Sequence, residues 1–412
     1  MNCKFREKAE NHENYPRRSW ALNHMGNVRL EQGAGAASAV ENFVRPRQSM
    51  KFLNCRISLL ALWFLAVDPL GVYGQSAAPE LIFQTGFEGS SALVPYRGSG
   101  GSDQLIVGCD PTLNGHNNFD EVFGNKGDKK GQVGSYGFLV QYQGGDISQR
   151  FAKIVPEPGN PTNQVLWFWL HDKYACGGQV KGRVQVNLYD LKPGLPEFYQ
   201  SVRVFLTEDW NVVRNYPRAL NWCTISEFWN KHYLHGTADY DKGFRITLGI
   251  GKPTAAVSDL SFILDADGLD WKRVWIARNE QVKVPIGKWF TMEYYYKEGD
   301  SQNGRFYLAI TPDGQPRQVV YDLTARTRTN MDPAPPAGIT DYNPLKLYTS
   351  NELLGFVKSQ GKTLQIYWDD FKLWKNRQPV DSKPLLVTEE VQKPTTPKPR
   401  SGGTASPSAP VK

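Results

Sequence analysis

Cysteine is scarce in this chain: there are five in 412 residues, and only Cys109, Cys176 and Cys223 follow residue 74. With no CxxC pair and no spacing typical of a zinc site, neither a disulfide-dense scaffold nor a zinc-stapled module is expected. In an oxidising compartment three cysteines predict one disulfide and one buried thiol, and which two pair is not readable. Histidine is as thin, six in all. His232 and His235 stand i, i+3 without a third ligand, which argues against metal catalysis. No apolar run reaches the roughly 20 residues that a membrane-spanning helix needs. Charge of one sign is also lacking: 48 Lys and Arg face 41 Asp and Glu. Residues 1–74 hold ten of those cations and six of the acids, so about +3 of the formal +7 belongs to the remainder. Without a Lys/Arg-rich run of the kind that tracks a phosphate backbone, nucleic acid is not an expected partner. Long helical patterns and internal repeats are missing too.

What is present begins at Met50. Lys51 and Arg56 precede the uncharged run Ile57 to Val67, and Val72-Tyr73-Gly74 follows it. That is the layout of a cleaved secretory signal. Residues 50–74 are therefore expected to export the chain to an extracellular or periplasmic compartment, with no membrane span after cleavage. A buried core helix is the alternative, but charges before the run and small residues after it fit export better. Residues 1–49 form a polar extension ahead of the signal. The expectation is that this extension is not translated and that Met50 is the start; a long signal n-region and a signal anchor are the alternatives. Residues 377–412 turn rich in Pro, Thr, Ser and Lys, a composition that cannot bury a core and predicts a disordered tail.

Between residues 79 and 376 the sequence alternates short runs rich in Val, Ile, Tyr, Phe and Trp with clusters of Gly, Pro, Asn and Asp, the pattern of antiparallel β structure. Val165 to Leu170, Val184 to Tyr189, Ser201 to Leu206, Phe244 to Ile250, Trp289 to Tyr296, Arg305 to Ile310 and Leu364 to Leu373 are predicted strands. In Arg183-Val184-Gln185-Val186-Asn187-Leu188 and in Gln200-Ser201-Val202-Arg203-Val204-Phe205, polar and apolar residues take turns. One face of each strand should pack a core while the other presents Arg, Gln, Asn and Ser to a groove. Only Ile225 to His232 and Ser350 to Val357 suggest short helices. Roughly a dozen strands in one continuous segment predict an all-β, two-sheet antiparallel jelly-roll sandwich. A monomer is expected.

Four features could carry chemistry. The chain has twelve Trp, among them Trp167, Trp169, Trp210, Trp222 and Trp229; any one is more simply read as core, but as a group they could stack on sugar rings. Trp222 to Tyr240 concentrates Glu227, Asn230, His232, Tyr233 and His235, several acid and base types in one stretch; a solvated loop with one structural histidine is the plain alternative. In Asn343-Pro344-Leu345-Lys346-Leu347-Tyr348, Lys346 and Tyr348 alternate outward on a predicted strand, so both could face the groove that Arg203 faces. A lysine beside a phenol eases its ionisation and suits it to proton transfer; an ordinary surface strand is the alternative. Finally Glu88, in Thr85-Gly86-Phe87-Glu88-Gly89, and Asp370, in Tyr367-Trp368-Asp369-Asp370-Phe371, could meet where the first and last strands lie side by side and hold a structural Ca²⁺. A hydrogen-bonded strand junction would explain them equally well.

The order of these motifs resembles the concanavalin A-like jelly rolls, and within them the secreted polysaccharide lyases of the heparin, alginate and glucuronan lyase type. The matching pieces are FEG, GRVQVNLYD, EFYQSVRVFLTEDW, GKWFTMEYYYKEG, NGRFYLAITPDG, LKLYTS and YWDDFKLW, which together span nearly the whole domain. The resemblance implies cleavage of an acidic, uronate-containing polysaccharide by β-elimination. It implies Arg203 with Gln185 or Asn187 on the uronate carboxylate, and His232, Lys346 and Tyr348 in proton transfer. The Gln-x-His element of some of these lyases has no clear copy; Glu227-Phe228-Trp229-Asn230 and His232 lie nearest. Lys346-Leu347-Tyr348 is shorter than the Lys-x-Gly-x-Tyr of that group. A non-catalytic, lectin-like glycan-binding module is the second expectation. A glycoside hydrolase is the third, because an ExDxxE-like strand is missing and such enzymes need two carboxylates flanking the bond.

Overall fold

Side-chain alternation sorts the chain into two sheets that share one apolar filling. The computed structural model describes residues 77–96, 102–124, 131–174, 180–230, 244–268, 272–330, 335–339, 341–380 and 382–386. These all fall within one compact unit, Ser76–Lys412. The expected extension 1–49 and expected signal 50–74, Cys176, His232 and residues 387–412 of the expected tail lie outside the described residues.

Nine strands form one sheet, in the order β19 (Leu385–Leu386), β15 (Gln318–Thr324), β14 (Arg305–Pro312), β13 (Trp289–Lys297), β8 (Glu197–Leu206), β18 (Leu364–Lys375), β6 (Asn160–Leu170) and β5 (Arg150–Glu157), with β1 (Glu80–Thr85) also paired to β18. Ten form the other, in the order β12 (Arg273–Lys283), β11 (Ser261–Asp267), β10 (Phe244–Gly251), β9 (Cys223–Asn230), β16 (Asp341–Asn343), β7 (Lys181–Leu188), β4 (Phe138–Gln143), β3 (Gln104–Val107) and β2 (Ala92–Pro95), with β17 (Lys346–Ser350) paired to both β7 and β9. All pairings are antiparallel except β15 with β19. This is the two-sheet jelly-roll sandwich that the sequence predicts, and each strand predicted above lies within an observed one, except that Tyr189 falls one residue beyond the end of β7.

The core lies between the sheets. Val184, Val186 and Leu188 of β7 face Phe168, Val202, Val204 and Trp368 from the other sheet's strands, and all are buried. Full burial of such a side chain stabilises by about 1.5–3 kcal/mol. The first strand closes on β18: Thr85 of β1 pairs with Phe371 of β18, and Phe83 packs against Phe371 and Phe138. Helix α2 (Asn351–Ser359) follows Ser350, whose hydroxyl accepts from the Leu353 amide as an N-cap; this is the second short helix expected.

Two expectations are corrected. Ile225 to Asn230 is not helical but forms most of β9, a central strand buried on both faces, which explains its lack of clean alternation. The segment expected to be tail begins folded: the Arg377 guanidinium lies 4.5 Å from the Tyr199 ring centre and 4.2 Å from that of Trp374, Ser382 donates to Asp322, and β19 adds to the sheet edge. Cys109 and Cys223 are both free thiols, and burial pushes the Cys223 thiol up to about 12, so it behaves as a small core hydrophobe.

Candidate active site

The outward face of the ten-stranded sheet is polar, and its chemistry follows from strand parity. On β7 the residues that alternate with the core set are Arg183, Gln185 and Asn187. On β17 they are Lys346 and Tyr348, with Leu345 and Leu347 turned inward and fully buried. Lys346 sits opposite Gln185 and Tyr348 opposite Arg183, so four of these groups meet across one pair of strands.

Pro344 shapes the middle of the site. β16 and β17 both pair with β7 and β9 and are one strand interrupted at Pro344, which has no N–H to give the ladder. The extra residue changes parity: Tyr342 and Leu345 both point into the core. Asn343 and Lys346, three apart, thereby share the outward face, where Lys346 Nζ donates to Asn343 Oδ1 at 3.4 Å.

Under the site lies a sealed network. Asn343 donates to Asn187 Oδ1, which also accepts from Gln185 Nε2 at 2.9 Å, and Asn187 in turn donates to Gln141. Lys346 donates to Glu227, whose other oxygen accepts from Arg245 at 3.1 Å, and Arg245 reaches on to Asp267 at 2.5 Å. Lys346 and Glu227 are 1% and 3% exposed at the side chain, so this pair is out of water. Burial alone would raise Glu227; Lys346 and Arg245 outweigh it and hold the carboxyl down at about 2. Burial lowers Lys346 to about 7, aided by the Arg183 and Arg245 guanidinium groups and opposed by Glu227. Two buried atoms, Gln185 Oε1 and Arg183 Nε, have no hydrogen-bond partner among the described residues.

Tyr348 and Arg183 are the half-buried members of the group. Lys346 Nζ lies 4.9 Å from the Tyr348 ring centre, Lys181 Nζ 5.7 Å and the Arg183 guanidinium 5.8 Å, while Trp222 meets the ring edge-on at 5.0 Å. Three cations around one aromatic ring favour an incoming carboxylate. Glu227 and Asp267 both accept from Arg245, and Asp265 accepts from Arg273, so these acids neutralise cations and do not stand free as a flanking pair.

The other expected site residues fall elsewhere. Arg203 does not share this groove: it is on β8 of the opposite sheet, facing outward, paired with Asp313 at 2.8 Å and lying over the Trp289 ring. Asn230 turns inward, donating to the Tyr296 hydroxyl and the Thr327 carbonyl at 2.9 Å each, a structural role between the sheets. Its neighbour Trp229 faces outward beneath the Arg245 guanidinium at 5.3 Å. His232 lies outside the described residues. Glu88 accepts from the Gln164 amide, and Asp369, beside Asp370, accepts from Asn163. Both bonds run to β6. Among the described residues no group of three or more His, Cys, Asp or Glu is set to hold a metal. Glu227, noted in the sequence as an acid of its stretch, takes a place in the network, and Arg183, Arg245, Asn343 and Gln141 are the additions. Arg183 was signalled by the same alternation that picked out Gln185; the rest depend on pairing between distant strands.

No family model matches the sequence, and no curated protein does. Solved structures similar to it include a marine alginate lyase from Aplysia kurodai, 8% identical, with a TM-score of 0.37 over 54% of this chain and 86% of that one. An endo-β-1,4-glucuronan lyase from the fungus Trichoderma reesei is 15% identical, with a TM-score of 0.37 over 57% and 89%. A β-glucanase catalytic domain from Podospora anserina is 13% identical, with a TM-score of 0.31 over 58% and 86%. At these identities and scores the three stand as likenesses, and the chemistry has to come from the side chains.

Proposed function

We propose that this chain is a secreted polysaccharide lyase that cleaves a uronate-containing glycan by β-elimination on the polar face of the ten-stranded sheet. One observation carries the reading: a half-buried phenol, Tyr348, ringed by Lys346, Lys181 and Arg183 and flanked by side-chain amides. Arg183 and Gln185, each with a buried polar atom lacking a partner among the described residues, are suited to the uronate carboxylate. Neutralising that carboxylate acidifies the C5 proton. The C5–H bond breaks, a C4–C5 double bond forms, and the C4–O bond to the leaving sugar breaks. The proton removed is balanced by one delivered to the leaving oxygen, so no water is consumed. Tyr348 is the proton-transfer group, with His232 as the second candidate. Lys346, sealed against Glu227, is a positioning residue that acts through the Tyr348 ring and the local charge. Export rests on the leader at residues 50–74; no described helix is long and apolar enough to cross a membrane.

A glycan-binding module without catalysis is the second reading, favoured by the near-complete burial of Lys346. Incubation with a panel of uronate polysaccharides separates the two. Growth of the ultraviolet absorbance of unsaturated uronate is expected with at least one of them, and a flat trace with retention on the same glycan would replace the lyase by the binding module.

Calcium belongs to the proposal as a stabiliser only. Its support is the approach of two carboxylates at Gly86: a methyl there would lie 3.3 Å from Asp110 Oδ2 and 3.5 Å from Asp369 Oδ1. Burial, with Asp370 alongside, raises the Asp369 carboxyl to about 7. Saturating Ca²⁺ at about 100 Kd would add about 2.7 kcal/mol. The expected result is a Tm several degrees higher in Ca²⁺ than in a chelator, reduced in Asp370→Asn; identical melting curves would remove calcium from the account.

A further inference from the structure

The outer face of the nine-stranded sheet is aromatic, and its two halves are treated differently. On one half Tyr199, Tyr295 and Tyr307 are buried, although they point away from the core. The chain's own C-terminal segment covers them, through Arg377 on Tyr199, Gln378 on Glu197 and Ser382 with Arg305. The other half carries a row across four adjacent strands. Trp167 of β6 stands opposite Tyr367 of β18, Tyr367 opposite Phe205 of β8, and Phe205 opposite Trp289 of β13. The rings follow one another at 5.7, 6.1 and 5.5 Å between centres, and the first two are parallel within 5°. All four are half-buried.

Charge and hydrogen-bonding groups edge the row. Lys153 of β5 is opposite Trp167 and exposed, and the Arg203 guanidinium lies 4.8 Å from the Trp289 ring centre. Gln365 accepts from the Trp167 indole N–H at 3.1 Å. Cross-strand aromatic pairs stabilise a sheet by themselves, but that leaves unexplained why one aromatic half is sealed by the C-terminal segment while the other, among the described residues, is not. A contiguous apolar row at a soluble surface marks an interaction site. Indole and phenol rings edged by the exposed Lys153 and an amide suit the apolar C–H faces of sugars whose carboxylates meet that lysine.

We propose that this row is a second glycan-binding face, on the opposite sheet from Tyr348, along which an acidic polysaccharide chain lies with successive sugars over successive rings. It deepens the functional reading by adding a hold on the polymer, and it can stand if elimination fails. The probe is sodium alginate or polyglucuronate, chosen as the polymer that retards the full chain in an affinity gel. Trp167→Ala with Trp289→Ala should raise the apparent Kd by roughly tenfold or more, while Tyr348→Phe should leave it within about twofold. The paired variant is expected to keep its rate on short oligosaccharides and lose rate on the polymer. Hydroxyl-radical footprinting of the unmutated protein gives a readout that does not depend on a variant folding: saturating polymer should protect Trp167, Tyr367 and Trp289. Unchanged footprints at those rings, unchanged retardation of a folded variant, or a dimer that only the paired variant dissolves would each overturn the proposal.

Discussion

Tyr348→Phe is expected to lower kcat on the eliminated polysaccharide by about 10²–10⁴-fold, the usual worth of a positioned proton-transfer group. The substitution removes one oxygen and keeps the ring, so the edge-on contact with Trp222 and the approach of Lys346 to the ring face survive. Polymer binding and Tm should therefore stay near those of the unmutated protein, and the loss should fall on kcat. Steady-state kinetics with a thermal melt checks this. A drop confined to KM would make Tyr348 a binding residue and move proton transfer to His232.

The second large effect concerns stability. Glu227→Gln leaves Lys346 and Arg245 without their shared carboxylate in a sealed site, and breaking a buried pair in this way costs about 3–5 kcal/mol. The pH dependence has a definite sign. Glu227 is held at about 2 in the folded chain against an ordinary 4.5, so the unfolded chain binds more protons between those values. Its contribution is complete above pH 4.5 and is lost as pH falls toward 2. Denaturant melts of the unmutated protein should show this loss, and the variant should be flatter over the same window. A variant within about 1 kcal/mol of the unmutated protein at pH 7, with the same acid profile, would mean that the pair is not sealed from solvent.

Much of this was legible in the sequence because parity is local. Alternation places Arg183, Gln185 and Asn187 on one face of their strand and Lys346 with Tyr348 on one face of theirs, as observed. Parity cannot say which sheet a strand joins. Arg203 alternates as cleanly as Gln185, yet β8 pairs with β13 and β18 while β7 pairs with β4 and β17, a difference made by partners far away in the chain. Nor does parity survive an inserted residue: Pro344 puts Asn343 and Lys346 on one face at a spacing that a regular strand would split. Asn230 was misplaced by the opposite error. It was grouped with Trp229 by adjacency, although neighbours in a strand face opposite ways.

The mass of the new non-reducing end tests the central claim most directly. Elimination leaves it unsaturated and lighter by one water than hydrolysis would, so digesting the responsive polysaccharide in H₂¹⁸O and weighing the oligosaccharides decides the reaction. The account predicts unsaturated ends with no ¹⁸O incorporated at the cleaved bond, lost in Tyr348→Phe. Saturated products carrying ¹⁸O would mean hydrolysis and would contradict it.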